Sequence, residues 1–215
     1  MFAARWSPRT TQRWLPCRVG SNVTRAPLSD RRAFDEQLEF ACYLIVAAAT
    51  GARRSEVVAL RWADVDLEQR TVSIERGVVM GMEGLVERDT KTHSSRRVSL
   101  DARTVAVLSG QLDRMRHSAE VCRVEISGRS FVFSNAADFS EPWFPDSVSR
   151  AFKRLCRLEG MPDARLHDLW HLVATPLFGG GVDARTIAGR LGHRNAATTL
   201  NVYAHVLEFP DREAS

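Results

Sequence analysis

The chain has 215 residues, of which 44% are apolar and 26% are charged, with a net charge of +4. This balance is that of an ordinary globular protein and excludes a wholly disordered chain. The longest apolar run, residues 41–49, is too short to span a bilayer, so we expect no membrane as a partner. The small positive charge favours an anionic partner such as nucleic acid, but only weakly.

The cysteines indicate the cellular compartment. There are four, they lie far apart, and none belongs to a Cys-x-x-Cys pair: Cys17, Cys42, Cys122 and Cys156. This spacing argues against a zinc knuckle or a disulfide scaffold and fits a reducing cytosol. The N-terminus also lacks an apolar segment that ends in a small-residue cleavage site, so we expect a cytoplasmic protein.

Residues 1–29 differ in composition from the rest of the chain. They contain no acidic residue, three prolines and five arginines, Arg5, Arg9, Arg13, Arg18 and Arg25. No helical or strand period persists, so we expect a disordered basic arm. An arginine-rich leader without acidic residues can also be a transit peptide. The motifs described below favour the arm.

Folding signals begin at Ser29 or Asp30, either of which can cap a helix that Gly51 ends. A second short helix follows, with Val57 and Val58 on one side. Residues 71–75 then alternate between polar and apolar side chains, as a half-buried strand does. Residues 96–100 show a strand pattern as well, and Gly77, Gly81 and Gly84 mark turns between the two. The sequence thus predicts a small antiparallel sheet within residues 64–100.

The second half of the sequence is mainly helical. Asp101 can cap a helix that contains Val105, Leu108 and Leu112, and Asp146 or Ser147 can open another. Residues 131–133 form a short buried piece. Three further helical segments are predicted at 166–178, 184–191 and 196–207, separated by glycines. The expected fold class is therefore mainly α with a small antiparallel β-sheet, an α+β fold.

Three groups of motifs occur in a characteristic order and spacing. The first is Ala-Thr-Gly-Ala-Arg-Arg-Ser-Glu at 49–56, followed by Leu-Arg-Trp-Ala-Asp-Val-Asp at 60–66. The second is Thr-Lys-Thr at 90–92, which leads into the strand at 96–100. The third contains Leu-His-Asp-Leu at 166–169, Gly-Val-Asp at 181–183, Leu-Gly-His at 191–193 and Asn-Val-Tyr-Ala-His at 201–205. Together they resemble the catalytic domain of tyrosine recombinases, the phage integrase family, over residues 30–207.

The resemblance implies a specific chemistry. A tyrosine hydroxyl attacks a DNA phosphodiester and forms a 3′-phosphotyrosyl link, and a 5′-hydroxyl of another strand later reverses the step. Such a site must neutralise charge on the phosphate oxygens, move protons and present the nucleophile in line. The phosphotyrosine retains the bond energy, so neither a metal nor a nucleotide cofactor is expected.

The resemblance also assigns roles to five residues. Tyr203 would be the nucleophile, and Arg53 would bind two phosphate oxygens with its planar guanidinium. Lys91, in the turn between two strands, would protonate the leaving 5′-oxygen. His167 and His193 would hydrogen-bond the phosphate and assist proton transfer. The alternative for each is an ordinary surface or core position, and the combination of motifs favours the catalytic roles.

Three further residues would support the site. Glu56 would hold the first arginine, and His171 and His205 also occur in relatives as supporting residues. Arg54, next to Arg53, is expected to be solvated.

One position departs from the family pattern. The motif His-x-x-Arg requires a second arginine three residues after His167, and this chain has Trp170 there. Tryptophan carries no charge, and its bulk would occupy the phosphate pocket. Losing one preorganised donor at a charge-developing centre typically costs about 2.7–4 kcal/mol, or roughly 100–1000-fold in rate. Pro176 is a second irregularity, since it should kink or end the predicted helix.

Relatives usually carry an N-terminal helical domain that clamps the other face of the duplex. We expect this clamp to be absent here, with residues 208–215 as a short C-terminal tail. Without the clamp, DNA affinity should be weak and steeply dependent on salt. Recombinases of this family work as tetramers, so we expect self-association on double-stranded DNA.

Two other functions remain open at this stage. A degenerate relative would bind DNA and do little chemistry, as Trp170 and the missing clamp suggest. A metal-dependent hydrolase could use His167 and His171 at helical i, i+4 spacing to bind zinc. The sequence lacks the glutamate that follows the first histidine in His-Glu-x-x-His, which makes the hydrolase the weakest of the three hypotheses.

Overall fold

The computed structural model describes residues 28–89, 95–168, 177 and 180–191, with side chains from Gln37 onward except that of His167. The expected arm at 1–29 lies almost wholly outside this range, and the expected tail at 208–215 lies entirely outside it. The division of the chain into compact units falls at Leu38, and the unit that begins at Glu39 holds the core and the site described below.

The first helix, α1, spans Leu28–Thr50. It begins one residue before the predicted cap at Ser29, so the predicted start is close but not identical. It ends where predicted, because Gly51 adopts a left-handed φ of +63°, a conformation that glycine takes without steric cost. The Gly51 N–H donates to the carbonyl of Ala47 at 3.0 Å. This tight end turns the chain directly into the next helix, α2, at Arg54–Val58.

Within the described residues, five strands form two small antiparallel sheets. The strands are β1 at Val65–Asp66, β2 at Thr71–Ile74, β3 at Arg76–Met80, β4 at Leu85–Asp89 and β5 at Arg96–Ser99. One sheet has the order β1-β2-β5, and the other is the hairpin of β3 and β4. The predicted strands at 71–75 and 96–100 are confirmed as neighbours, with Val72 opposite Val98.

The hairpin corrects the sequence-based prediction for residues 77–84. The glycines there predict turns, yet only Gly81 and Gly84 lie at a turn, where the Gly81 N–H donates to the Gly84 carbonyl at 2.7 Å. Gly77 lies inside β3, and a Cβ added to it would be 3.3 Å from the hydroxyl oxygen of Ser55. Glycine at this position allows β3 to pack closely against α2.

Ion pairs attach the hairpin to the 3₁₀ turn at Trp62–Asp64. Arg76 bonds Asp64 at 2.6 Å and Glu87 at 3.0 Å, and Arg61 bonds Glu87 at 2.8 Å. Asp64 is buried and also accepts the backbone N–H of Arg61. Arg61 and Asp64 of the motif at 60–66 thus hold the hairpin in place, which gives these two residues a structural role.

Two long helices follow the sheets. Helix α3 spans Ala102–Cys122, and Asp101 caps it as predicted, since its carboxylate accepts the Thr104 N–H at 2.7 Å. Helix α4 spans Pro145–Leu158 and begins one residue before the predicted Asp146. Proline is suited to a first helical position, because its missing N–H would be unpaired there in any case.

The third predicted group of helices is described in part. A 3₁₀ turn occupies Leu166–Asp168, and helix α5 spans Ala184–Leu191, as predicted. Most of the predicted helix at 166–178 and all of the helix at 196–207 lie outside the described residues.

An aromatic cluster lies within the main core. Tyr43 packs edge-on against Phe133 with ring centroids 5.3 Å apart, and Trp143 contacts both rings. Buried valines and leucines from α2, β2, β5 and α3 complete this core. The mainly helical fold with a small antiparallel component is confirmed. No helix in the described part of the chain has the length and apolar character needed to cross a membrane.

Candidate active site

Arg53 lies at the start of α2 and faces a cavity of about 920 Å³. It is the N-cap residue of this helix and has extended backbone angles. Its side chain keeps 29% of its surface exposed. A guanidinium at a helix start opposes the helix dipole. The helix dipole therefore does not explain why an arginine occupies this position.

Glu56 holds both the backbone and the side chain of Arg53. Its carboxylate accepts the Arg53 N–H at 2.8 Å and the Arg53 Nη1 at 3.3 Å. The first bond is half of a capping box, because it satisfies a donor at the helix start. The Glu56 side chain is 3% exposed. These contacts agree with the supporting role that the resemblance implies for Glu56.

Arg54 is not simply solvated, contrary to expectation. Its Nη1 donates to the Asp146 carboxylate at 3.2 Å and to the Ser149 hydroxyl. Both partners lie in the first turns of α4, so Arg54 ties α2 to that helix. The Arg54 carbonyl in turn accepts a long hydrogen bond, 3.4 Å, from the hydroxyl of Tyr43.

Segments distant in sequence meet at the same cavity. Its lining includes Arg53 and Arg54 from α2, Arg88 and Asp89 from the end of β4, and Leu166. Residue 89 precedes the Thr-Lys-Thr motif, and residue 166 directly precedes His167. The residue before one motif group and the first residue of another therefore line the same cavity as Arg53.

Two partly buried arginines, Arg96 and Arg190, join these segments to α5. Arg96, on β5, donates to Glu56 at 2.6 Å and to the carbonyl of Arg190 at 3.1 Å. Arg190 donates to the carbonyls of Ala49 at 2.6 Å and Ser99 at 3.3 Å. Burial lowers the pKa of Arg190, but an arginine remains charged at neutral pH. The carbonyls of Ala49 and Arg190, near the ends of α1 and α5, thus accept hydrogen bonds from arginine side chains.

Sequence reasoning missed Arg96, although the sequence carries a signal for it. In the strand at 96–100, Val98 and Leu100 are buried and Ser99 is exposed. The period of two places Arg96 on the same inward face as Val98 and Leu100. A charged residue at a buried position of a strand requires a partner, and here Glu56 is that partner.

Most of the remaining predicted site residues lie outside the described part of the chain. They are Lys91, Trp170, His171, His193, Tyr203 and His205, together with the side chain of His167. Among the residues that are described, no three metal-ligating side chains lie close enough to hold a metal ion. The zinc hypothesis for His167 and His171 thus remains a sequence hypothesis.

Comparison with known proteins gives a consistent result. The sequence model of the phage integrase family matches residues 29–208. A tyrosine recombinase XerC-like protein of Caldanaerobacter subterraneus is 27% identical over 180 residues, covering 76% of this chain and 44% of the relative. The ICEBs1 integrase of Bacillus subtilis is 28% identical over 179 residues, covering 83% of this chain and 47% of the relative. The chain therefore spans about half the length of these relatives.

Solved structures show the same fold. The Tn1549 transposon integrase, in complex with transposon right end DNA, matches with a TM-score of 0.70 at 17% identity, covering 97% of this chain and 65% of that one. The XerA recombinase matches with a TM-score of 0.62 at 22% identity, covering 85% and 60% of the two chains.

Proposed function

Because the chain belongs to the phage integrase family, as a tyrosine recombinase catalytic domain, we propose that it cleaves and rejoins double-stranded DNA through a 3′-phosphotyrosyl intermediate. The observation that carries this proposal is the convergence of Arg53, the end of β4 and the residue before His167 on one cavity. Arg53 is one of the five predicted catalytic residues, Leu166 directly precedes His167, and Asp89 is two residues before Lys91.

Each residue has a chemical task in this proposal. Arg53 neutralises the non-bridging phosphate oxygens, and Glu56 keeps its guanidinium oriented. His167 and His193 hydrogen-bond the phosphate, and Lys91 protonates the leaving 5′-oxygen. Tyr203 attacks the phosphorus.

The burial of the other tyrosine supports Tyr203 as the nucleophile. The chain has two tyrosines, and Tyr43 is fully buried in the aromatic cluster. Burial raises the pKa of Tyr43 well above its usual value of 10.0, so its phenolate is disfavoured. A phosphotyrosyl link through Tyr43 would require the core to open, which leaves Tyr203 as the candidate.

The proposal includes slow catalysis. Trp170 replaces the second arginine of the family motif, so one bidentate cation is missing from the phosphate site. Removing a single preorganised donor typically lowers a rate roughly 100–1000-fold, so we expect cleavage to be slower by about this factor than with an arginine at position 170. The domain would bind duplex DNA, self-associate on it and act in the cytoplasm of a bacterium or phage host. The integrase and recombinase relatives support this assignment.

A nicked suicide substrate tests the proposal directly, because loss of the 5′-hydroxyl fragment traps the covalent protein–DNA adduct. We expect a slowly accumulating adduct from the wild-type chain and none from Tyr203→Phe. The matched control is Tyr43→Phe, which keeps the ring in the core and should still form the adduct. An adduct that persists in Tyr203→Phe, or no adduct from the wild-type chain at any time, would contradict the proposal.

Trp170 favours one second candidate, a DNA-binding protein that has lost the chemistry. In that case a gel-shift assay would show salt-dependent binding to duplex DNA, while the suicide substrate would give no adduct. The two assays on the same DNA therefore separate the two functions.

A further inference from the structure

We infer that Arg96 is a positioning residue for the proposed cleavage reaction: it acts through Glu56 to fix the orientation of Arg53. The expected effect of Arg96 on cleavage rests on the proposed function, whereas the contacts of Arg96 with its neighbours do not depend on it. Arg96 lies 40 positions from Glu56 in the sequence, and no motif assigned it a role.

Two guanidinium groups share one buried carboxylate. Glu56 Oε2 accepts Arg96 Nη2 at 2.6 Å and the backbone N–H of Arg53 at 2.8 Å, while Oε1 accepts Arg53 Nη1 at 3.3 Å. The side chains of Arg96 and Glu56 are 9% and 3% exposed. A carboxylate so buried is not held by water, so its orientation depends on these donors.

Arg96 also fixes a second segment of the site. Its Nε donates to the carbonyl of Arg190 at 3.1 Å, in the last turn of α5. That carbonyl is three residues before His193 in the sequence. One planar guanidinium therefore joins the start of α2 to the end of α5, and lysine could not make both bonds in this geometry.

The consequence follows from how arginine stabilises a phosphate. A fork that binds two oxygens is sensitive to angle and position, and a misplacement of about 1 Å can lower a rate on the order of 100-fold. Without Arg96, Glu56 would lose its closest partner and would no longer hold Arg53 in one orientation. The loss should appear in the rate of the chemical step more than in DNA affinity, because many other contacts contribute to binding.

The test uses the full chain and the variants Arg96→Gln and Arg96→Lys. Arg97→Gln is the matched control, since Arg97 is on the same strand but its side chain is 63% exposed. The first measurement needs no DNA: hydrogen exchange of the Arg53 amide, which bonds Glu56 directly. We expect exchange to accelerate ~10-fold or more in Arg96→Gln, relative to amides of the α3 interior, and to stay unchanged in Arg97→Gln.

The second measurement separates binding from chemistry on the suicide substrate at saturating DNA. We expect Arg96→Gln to lower the cleavage rate constant ~10–100-fold with DNA affinity little changed, and Arg96→Lys to restore part of the rate. In an Arg53→Ala background, Arg96→Gln should have a much smaller effect, because its route through Arg53 is gone and only its contact with the Arg190 carbonyl remains. A purely structural role would instead lower the folded fraction and act equally in both backgrounds.

The two measurements distinguish the inference from the proposed function. If the wild-type chain forms no adduct, the proposed function fails. Hydrogen exchange of the Arg53 amide still shows whether Arg96 positions Arg53. An unchanged Arg53 amide in Arg96→Gln overturns the inference, whatever the cleavage data show. So does an Arg96→Gln effect that is fully additive with Arg53→Ala.

Discussion

Gly51 and Leu191 are so closely packed that a Cβ on Gly51 would lie 2.6 Å from Leu191 Cδ2. Gly51 ends α1 with a φ of +63°, two residues before Arg53, and Leu191 is the last residue of α5 and is fully buried. The contact places the end of α5 directly against the segment that leads into Arg53. A single glycine therefore sets the distance between two parts of the candidate site.

Gly51→Ala should be more destabilising than an ordinary glycine substitution at positive φ. The left-handed backbone costs an alanine about 1–2 kcal/mol, and the clash with a buried leucine adds about 1–3 kcal/mol. Gly160→Ala is the control, because Gly160 has a φ of +73° and no atom within 4 Å of an added Cβ. Urea unfolding of both variants measures the difference. Equal losses would show that Leu191 yields to the methyl group without cost.

The cap of α3 should contribute pH-dependent stability. The Asp101 carboxylate accepts the Thr104 N–H, and this bond lowers its pKa from 3.8. A depressed folded pKa means that the contribution is complete above the unfolded value of about 3.9. It is lost as the pH falls through the lower folded value. Asp101→Ala should therefore cost about 1 kcal/mol at pH 7, and this loss should shrink below about pH 4.

Asp101→Asn separates the cap from the charge. Asparagine caps a helix about as well as aspartate, so this variant should keep most of the stability at pH 7. Urea midpoints at pH 7 and pH 3 provide the comparison. A loss in Asp101→Ala that is the same at both pH values would rule out a role for the ionised carboxylate.

Capping residues and helical periodicity, which act over a few neighbouring residues, correctly predicted several helices. Asp101 caps α3, and α5 spans the predicted residues 184–191, because capping and helical periodicity act within a few residues. The hairpin of β3 and β4 was not predicted, since Gly77 satisfies both a turn pattern and a strand packed closely on Ser55. Only the tertiary contact distinguishes the two.

In the candidate site, too, contacts between residues close in sequence were predicted and a contact between distant residues was not. The motif identified Arg53 and Glu56, whose contact lies within one helical turn. The third member, Arg96, pairs with Glu56 across 40 positions, so no local pattern names its partner. The alternation of the strand does place Arg96 on the same inward side as Val98. A charged residue at such a position indicates a buried charge that needs a counterion.

The cysteines should differ sharply in reactivity. Burial raises the pKa of Cys42 to about 12 and also raises that of Cys156, while Cys122 is exposed. At pH 8 only ~1 in 10,000 Cys42 thiols would be ionised, against roughly a quarter for an ordinary cysteine. Iodoacetamide should therefore label Cys122 in the native chain and reach Cys42 and Cys156 only after unfolding, as measured by mass spectrometry of peptides. Rapid native labelling of Cys42 would contradict its place in the core.

Trp170→Arg should accelerate formation of the covalent DNA adduct. The substitution restores a charged fork three residues after His167, where it could bind the phosphate that Arg53 contacts in the proposed function. The expected gain is roughly 100–1000-fold in the single-turnover rate on the suicide substrate. Trp170→Phe is the control, because it keeps an aromatic ring and adds no charge, so its rate should stay near that of the wild-type chain. An equal gain in both variants would mean that the indole obstructs the site by its bulk. No gain in Trp170→Arg would show that a defect elsewhere limits the reaction.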